Sequence, residues 1–238
     1  MSLTDIFSDA ITYPFSDITN FLIVGVLAVL ASLSSVVASF GIEGTAITAL
    51  AVIIGFIFSL ILSGYSVDVI KNGIDSSRAF PDIDLKENLI NGIKAMIIGI
   101  VYMIIPCIIA FALLAVFGLV GAGIDHVVAS LGLASIIIFI IFILFGIFEV
   151  IALARFADTK DLGDALNIGA VIEDVKKVGI INIILFLIIL MIIVFIATLI
   201  ISLFAFIPYI GVIIATLILG AFLVLFGNRA LGLLYAGA

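Results

Sequence analysis

Six long apolar stretches, near residues 20–41, 46–67, 95–121, 131–154, 179–205 and 210–235, alternate with shorter polar or mixed segments along the chain. Each supplies the roughly 20 apolar residues that cross a bilayer core. Unpaired backbone amides are not tolerated in hydrocarbon, so each stretch is predicted to be a helix. The intervening segments are of two kinds. Those near 42–45, 122–130 and 206–209 are short turns, too short for a folded extracellular domain. The other two are linkers of roughly 20 residues, also too small for an independent soluble domain. They carry apolar stripes at helical spacing: Leu85, Leu89 and Ile93 in one, Leu162, Leu166 and Ile172 in the other. The first residues follow the same rule, with Leu3, Ile6, Phe7, Ala10, Ile11 and Phe15 opposite Thr4, Asp5, Ser8, Asp9 and Thr12. Such a stripe lies in the membrane interface or docks under the bundle. The leading segment lacks basic residues to hold a lipid surface, which favours docking.

The polar segments also repeat. Asp84-Leu85-Lys86-Glu87-Asn88-Leu89-Ile90-Asn91-Gly92 and Asp161-Leu162-Gly163-Asp164-Ala165-Leu166-Asn167-Ile168-Gly169 share the pattern D-L-x-acid-x-L-x-x-G, 77 residues apart. Both aspartates are suited to cap a helix, with an acid three residues on favouring the positive helix end. Three units follow, near 3–75, 84–160 and 161–238, each an amphipathic helix and then a helical hairpin. Two crossings return the chain to the side it left, so the repeats are parallel rather than inverted. The expected fold is all-α: a polytopic membrane protein in which residues 1–238 form one transmembrane domain. Its six transmembrane helices are arranged as three parallel helical-hairpin repeats with cytoplasmic-side amphipathic helices.

Charge fixes the orientation. All nine Lys and Arg residues (Lys71, Arg78, Lys86, Lys94, Arg155, Lys160, Lys176, Lys177, Arg229) fall on one side of this layout. Basic residues near short loops are retained in the cytoplasm, so both termini and both linkers are expected inside a plasma membrane. Fourteen of the sixteen acids fall there too, and only Glu43 and Asp125 outside. The acidic excess argues against a polybasic lipid clamp and against nucleic-acid binding. Composition agrees with lipid as the main solvent: 66% hydrophobic, 11% charged, mean hydropathy +1.59. The first 20 residues hold no Lys or Arg, so no secretory signal is expected.

Few residues carry candidate chemistry. Charged groups inside a span are functional candidates by default, and Glu149 in Phe148-Glu149-Val150 is the clear case. Its alternative role is that of a packing or interface glutamate. Pro106 falls mid-span and is predicted to kink the third helix. Ala31, Ser35 and Ser39, and Gly55, Ser59 and Ser63, follow the small-xxx-small spacing that lets helices approach, and are read as hairpin packing rather than a permeation path. His126 beside Asp125 has no second ligand for a metal, and the single Cys107 has no disulfide partner within the chain. The sequence therefore offers no catalytic, cofactor-binding or metal-ligating residues.

The segments Gly64-Tyr65, Val69-Ile70-Lys71-Asn72-Gly73, Phe80-Pro81-Asp82, Asn91-Gly92-Ile93-Lys94, Tyr102 through Pro106, and the opening Tyr13-Pro14-Phe15-Ser16-Asp17 resemble an archaeal membrane-protein family, common in methanogens, known only as a domain of unknown function. The resemblance covers nearly the whole chain and implies an archaeal plasma membrane, with no activity attached. The mitochondrial carrier architecture also has three two-helix repeats. Its acid-and-base signature after an odd-span proline is missing, since Cys107-Ile108-Ile109-Ala110 follows Pro106.

Spans almost free of ionisable groups offer little from which to build a relay, a solute site or a catalytic centre. The sequence thus points to a non-catalytic scaffold or accessory subunit that packs with a second copy, a membrane-protein partner or lipid. The alternative is a small-solute transporter or lipid scramblase using the kinked third helix and Glu149. An intramembrane enzyme is the least supported class.

Overall fold

A computed structural model describes residues 1–44, 46–119, 124–207 and 210–237; Gly121, Gly123 and Pro208 lie outside them, as do the side chains of Asp125 and His126. Among the described residues every regular element is helical. The chain opens with α1, Leu3–Thr12, started by a capping box in which Ser2 and Asp5 satisfy each other's backbone N–H groups. A 3₁₀ turn at Tyr13–Phe15, containing Pro14, ends it. Asp17 then caps α2, Ile18–Ala31, and a break at Ser32 precedes α3, Leu33–Ser39. The later helices are α4, Ala46–Ile74; α5, Leu85–Leu119; α6, Ile124–Thr159; α7, Leu162–Leu166; α8, Ile168–Val178; and α9, Ile180–Ser202. A 3₁₀ turn at Leu203–Phe206 leads to α10, Ile210–Ala215, which runs through a π turn at Thr216–Gly220 into α11, Ala221–Ala236.

Among the described residues five segments are long and apolar enough to cross a membrane: Ala46–Ile74, Leu85–Val116, Ala134–Thr159, Ile180–Ile200 and Ile210–Ala236. A sixth crossing is available near the start. The axes of Leu3–Phe15 and Ile18–Ala31 differ by 87°, so these two make one span only as a sharply broken pair. Physically α3 is the better continuation of α2. α1 exposes Thr4, Asp5, Ser8 and Thr12, whereas α2 and α3 are apolar and both pack along α4. Residues 18–39 would reach about 33 Å as helix.

Glycine sets the closest approaches. A methyl group on Gly64 would overlap the Asn88 carbonyl, and one on Gly92 the Leu60 carbonyl, so α4 and α5 meet backbone to backbone. Gly73 and Gly232 do the same for α4 and α11. Of the predicted small-residue faces, only part is used. Gly55 is buried with the Ala31 carbonyl oxygen 3.1 Å from where its Cβ would stand, but Ser35 and Ser59 are exposed and Ser39 and Ser63 are half-buried. The break at Ser32 separates Ser35 and Ser39 from the helix that carries Ala31.

Three further expectations change. The striped segment beginning at Leu85 is no separate helix, because nothing between Asp84 and Pro106 interrupts α5. In the matching later segment Asn167, with ψ 91°, and Gly179, with φ +88°, do interrupt the chain. The second short turn, expected near 122–130, ends no later than residue 123, since α6 already runs from Ile124. Finally, Pro106 is buried inside an uninterrupted α5, so a kink there is a bend within the helix and not a break in it. The irregular turn lies at Thr216–Gly220 in the last span.

Large apolar side chains such as Phe111, Phe139, Ile181 and Phe195 stand exposed along the helices. In water such a surface would drive aggregation, and in a bilayer it meets acyl chains.

Candidate functional site

Ionic contacts gather at one end of the bundle, where α4, α6 and α11 finish and α1, α7 and α8 lie. Arg229 of α11 is almost fully buried there. Its Nε donates to Asp9 Oδ1 at 2.9 Å, its Nη1 donates to the Asn72 carbonyl at 2.9 Å and to the Ser77 carbonyl, and its guanidinium lies 5.0 Å from the Tyr13 ring centre. Asp9 also accepts from Arg78 Nη2 at 2.7 Å. Burial alone would raise the Asp9 carboxyl, but the hydrogen bonds from Arg78 and Arg229 outweigh it and hold the group below the ordinary value of 3.8. Phe7, stacked on Phe186 at 5.3 Å, anchors the apolar face of α1 beside this pair. Burial raises the Tyr13 hydroxyl above its ordinary value.

Two comparable ties link other helices. Asp174 of α8, buried, accepts from Arg155 Nη1 of α6 at 2.7 Å and from the Tyr235 hydroxyl of α11 at 2.7 Å. Burial again opposes, and the bonds from Tyr235, Arg155 and Lys177 hold the Asp174 carboxyl below its usual range. Asp68 of α4 accepts from Asn88 Nδ2 of α5 at 2.6 Å and pairs with Lys160 after α6. Lys71 of α4 reaches Asp158 of α6 at 3.0 Å. A buried charge is tolerable only when paired in this way.

Glu149 is different. It sits on α6 ten residues before the helix ends, half-buried, and makes no hydrogen bond or ion pair with the described residues. It faces an open cavity of about 420 Å³ lined by Ser63 of α4, by Ala95, Ile98, Gly99 and Met103 of α5, and by Leu153 of α6. Gly99 leaves the space: a Cβ there would lie 3.2 Å from Glu149 Oε1. Pro106 is not brought to this cavity. It lies seven residues past Gly99, about 10 Å further along α5. Ser63 is the one small-spacing residue that reaches Glu149's cavity. Other span hydroxyls bond locally, with Ser39, Ser59, Ser66, Thr198 and Ser202 each donating to a carbonyl of their own helix. No cluster of three metal-ligating side chains occurs among the described residues.

Sequence reasoning missed the buried arginine. Arg229 lies inside the predicted last span and met the same criterion that singled out Glu149, but was counted only as a topological marker. A charge at that depth implies a partner, and Asp9 lies 220 residues away.

Helices of this length and apolarity define an integral membrane protein with several spans. Residues 47–206 match the family described as a protein of unknown function (DUF4013), and the chain belongs to that family. Comparison with curated proteins and with solved structures gave no match.

Proposed function

We propose that this protein is a non-catalytic scaffold or accessory subunit of the plasma membrane, packing with a second copy, a membrane-protein partner or lipid. One observation carries the reading: at the ionic end three carboxylates are consumed in pairing one helix to another. Asp9 with Arg229, Asp68 with Lys160 and Asp174 with Arg155 leave those groups committed to structure. The ionic end is read as cytoplasmic from the partition of basic residues, with both termini inside. The family resemblance supports an archaeal membrane. Three parallel hairpins remain the preferred organisation. In support, each unit's leading segment bonds to the last helix of another unit: α1 to α11, α5 to α4, and α8 to α6.

A second reading rests on Glu149, a carboxylate unpaired among the described residues that lines an open cavity. Such a group suits a small-solute transporter or a lipid scramblase. Reconstituted vesicles decide between the two. Under the scaffold reading Glu149→Gln, which keeps shape and removes charge, leaves assembly and any lipid or solute flux unchanged. A protein-dependent flux that is abolished by Glu149→Gln sinks the scaffold and promotes the transporter.

A further inference from the structure

Glu149 lies inside the apolar segment Ala134–Thr159, six residues before Arg155, whose bond to Asp174 belongs to the ionic end. Six helical residues set the carboxylate about 9 Å deeper along α6 than that guanidinium. A charge at such depth is costly until one of opposite sign meets it. Arg155 has its counter-charge within the chain, whereas no Lys, Arg or His lines the cavity beside Glu149. The missing partner is therefore a cation from outside the chain, and the lining says of what kind. Its only side-chain oxygens are the Glu149 carboxylate and the Ser63 hydroxyl. A bare metal ion exchanges its water shell for about six oxygen ligands, more than these two groups provide.

An organic cation asks for less: one carboxylate to meet its charge and apolar surface to meet its body. Ile98, Met103 and Leu153 supply that surface, and methionine adapts its shape to irregular ligands. The volume of about 420 Å³ lies within the range of small-molecule sites. We propose that Glu149 and this cavity bind a lipophilic organic cation, an ammonium or phosphonium centre enclosed by apolar groups. The charge sits at the carboxylate and the body lies against Ile98 and Met103. The ammonium of a phospholipid carries the same charge but is held at headgroup level by its phosphate, so the depth of Glu149 favours a cation with no phosphate attached. The proposal rests on the Glu149 reading for its site and not for any flux.

The test is equilibrium binding of tritiated tetraphenylphosphonium to the full chain in dodecyl maltoside, a detergent that brings no ammonium of its own. The expected result is saturable binding, weakened roughly tenfold by Glu149→Gln. It should be largely retained in Glu149→Asp and unchanged in Glu173→Gln, an acid exposed on α8. Gly99→Leu gives an independent arm. Among the described residues only Glu149 Oε1 lies within 4 Å of a Cβ at Gly99, so the larger side chain enters the cavity rather than packed backbone and should also weaken binding. Neither uncharged triphenylphosphine oxide nor phosphatidylethanolamine should displace the cation. No saturable binding, binding indifferent to both Glu149→Gln and Gly99→Leu, equal loss in Glu173→Gln, or displacement by either competitor would overturn the proposal. Binding at equilibrium needs no transport, so a bound cation without vesicle flux sinks only the transporter reading, and flux without a bound cation sinks only this one.

Discussion

Asp9 and Arg229 make the pair on which the seating of α1 depends. Taking away Asp9 leaves a nearly inaccessible guanidinium facing only two carbonyls and a ring, a loss on the order of 3–5 kcal/mol for a buried pair. Asp9→Ala should therefore lower the melting temperature in detergent sharply and expose α1 to proteolysis, whereas Asp5→Asn at the exposed cap should do neither. The pH dependence has a definite sign. The Asp9 carboxyl is depressed in the folded protein, so its contribution is complete above the ordinary value of 3.8 and is lost as pH falls through the lower folded value. α1 should stay protease-resistant at pH 5 and release only on strong acidification; release between pH 5 and pH 7 would refute the pairing. Glu149 was legible in the sequence because a lone acid in an apolar run is conspicuous. Its cavity was not, since Gly99 and Ser63 mean nothing until three helices are assembled around them.

At the scale of elements, glycine at a crossing decides more than serine at a spacing. Gly64→Ala should destabilise the α4–α5 contact by about 1–3 kcal/mol, because the added methyl meets backbone that cannot move aside. Gly146→Ala in α6, with no atom within 4 Å of its Cβ, should be neutral or slightly stabilising. Thermal unfolding in detergent compares the two, and equal effects would disprove the close crossing. Helix positions were readable from apolar length alone, and so were the caps: Asp84 and Asp161 each accept from the backbone two and three residues on. Helix breaks were less readable. Asn167 and Gly179 interrupt one linker, whereas the glycine in the other, Gly92, is held inside α5 by its packing on Leu60. The same residue type breaks a helix or permits a crossing according to neighbours that local sequence does not name.

For the whole molecule, topology is the claim with the widest reach. Single cysteines introduced into a variant lacking Cys107 should label from outside at positions 43, 126 and 209 and from inside at 9, 78, 160 and 174. Outside labelling at 78 or 174 would reverse the orientation, and the ionic end with it. The one-sided charge was visible in the sequence. What it does on that side was not, because the pairs join residues far apart in the chain, such as Lys71 with Asp158 and Asp68 with Lys160.

The seating of α1 also has a meaning in time. Its residues are synthesised before those of α11, and Arg229 emerges 220 residues after Asp9. Until the final helix has been inserted, Ile6, Phe7 and Ala10 have no complete seat and must wait against the lipid surface. Closure of α1 therefore reports that synthesis has passed the last span. A nascent chain stalled before Arg229 would hold every earlier crossing and still leave α1 unfastened.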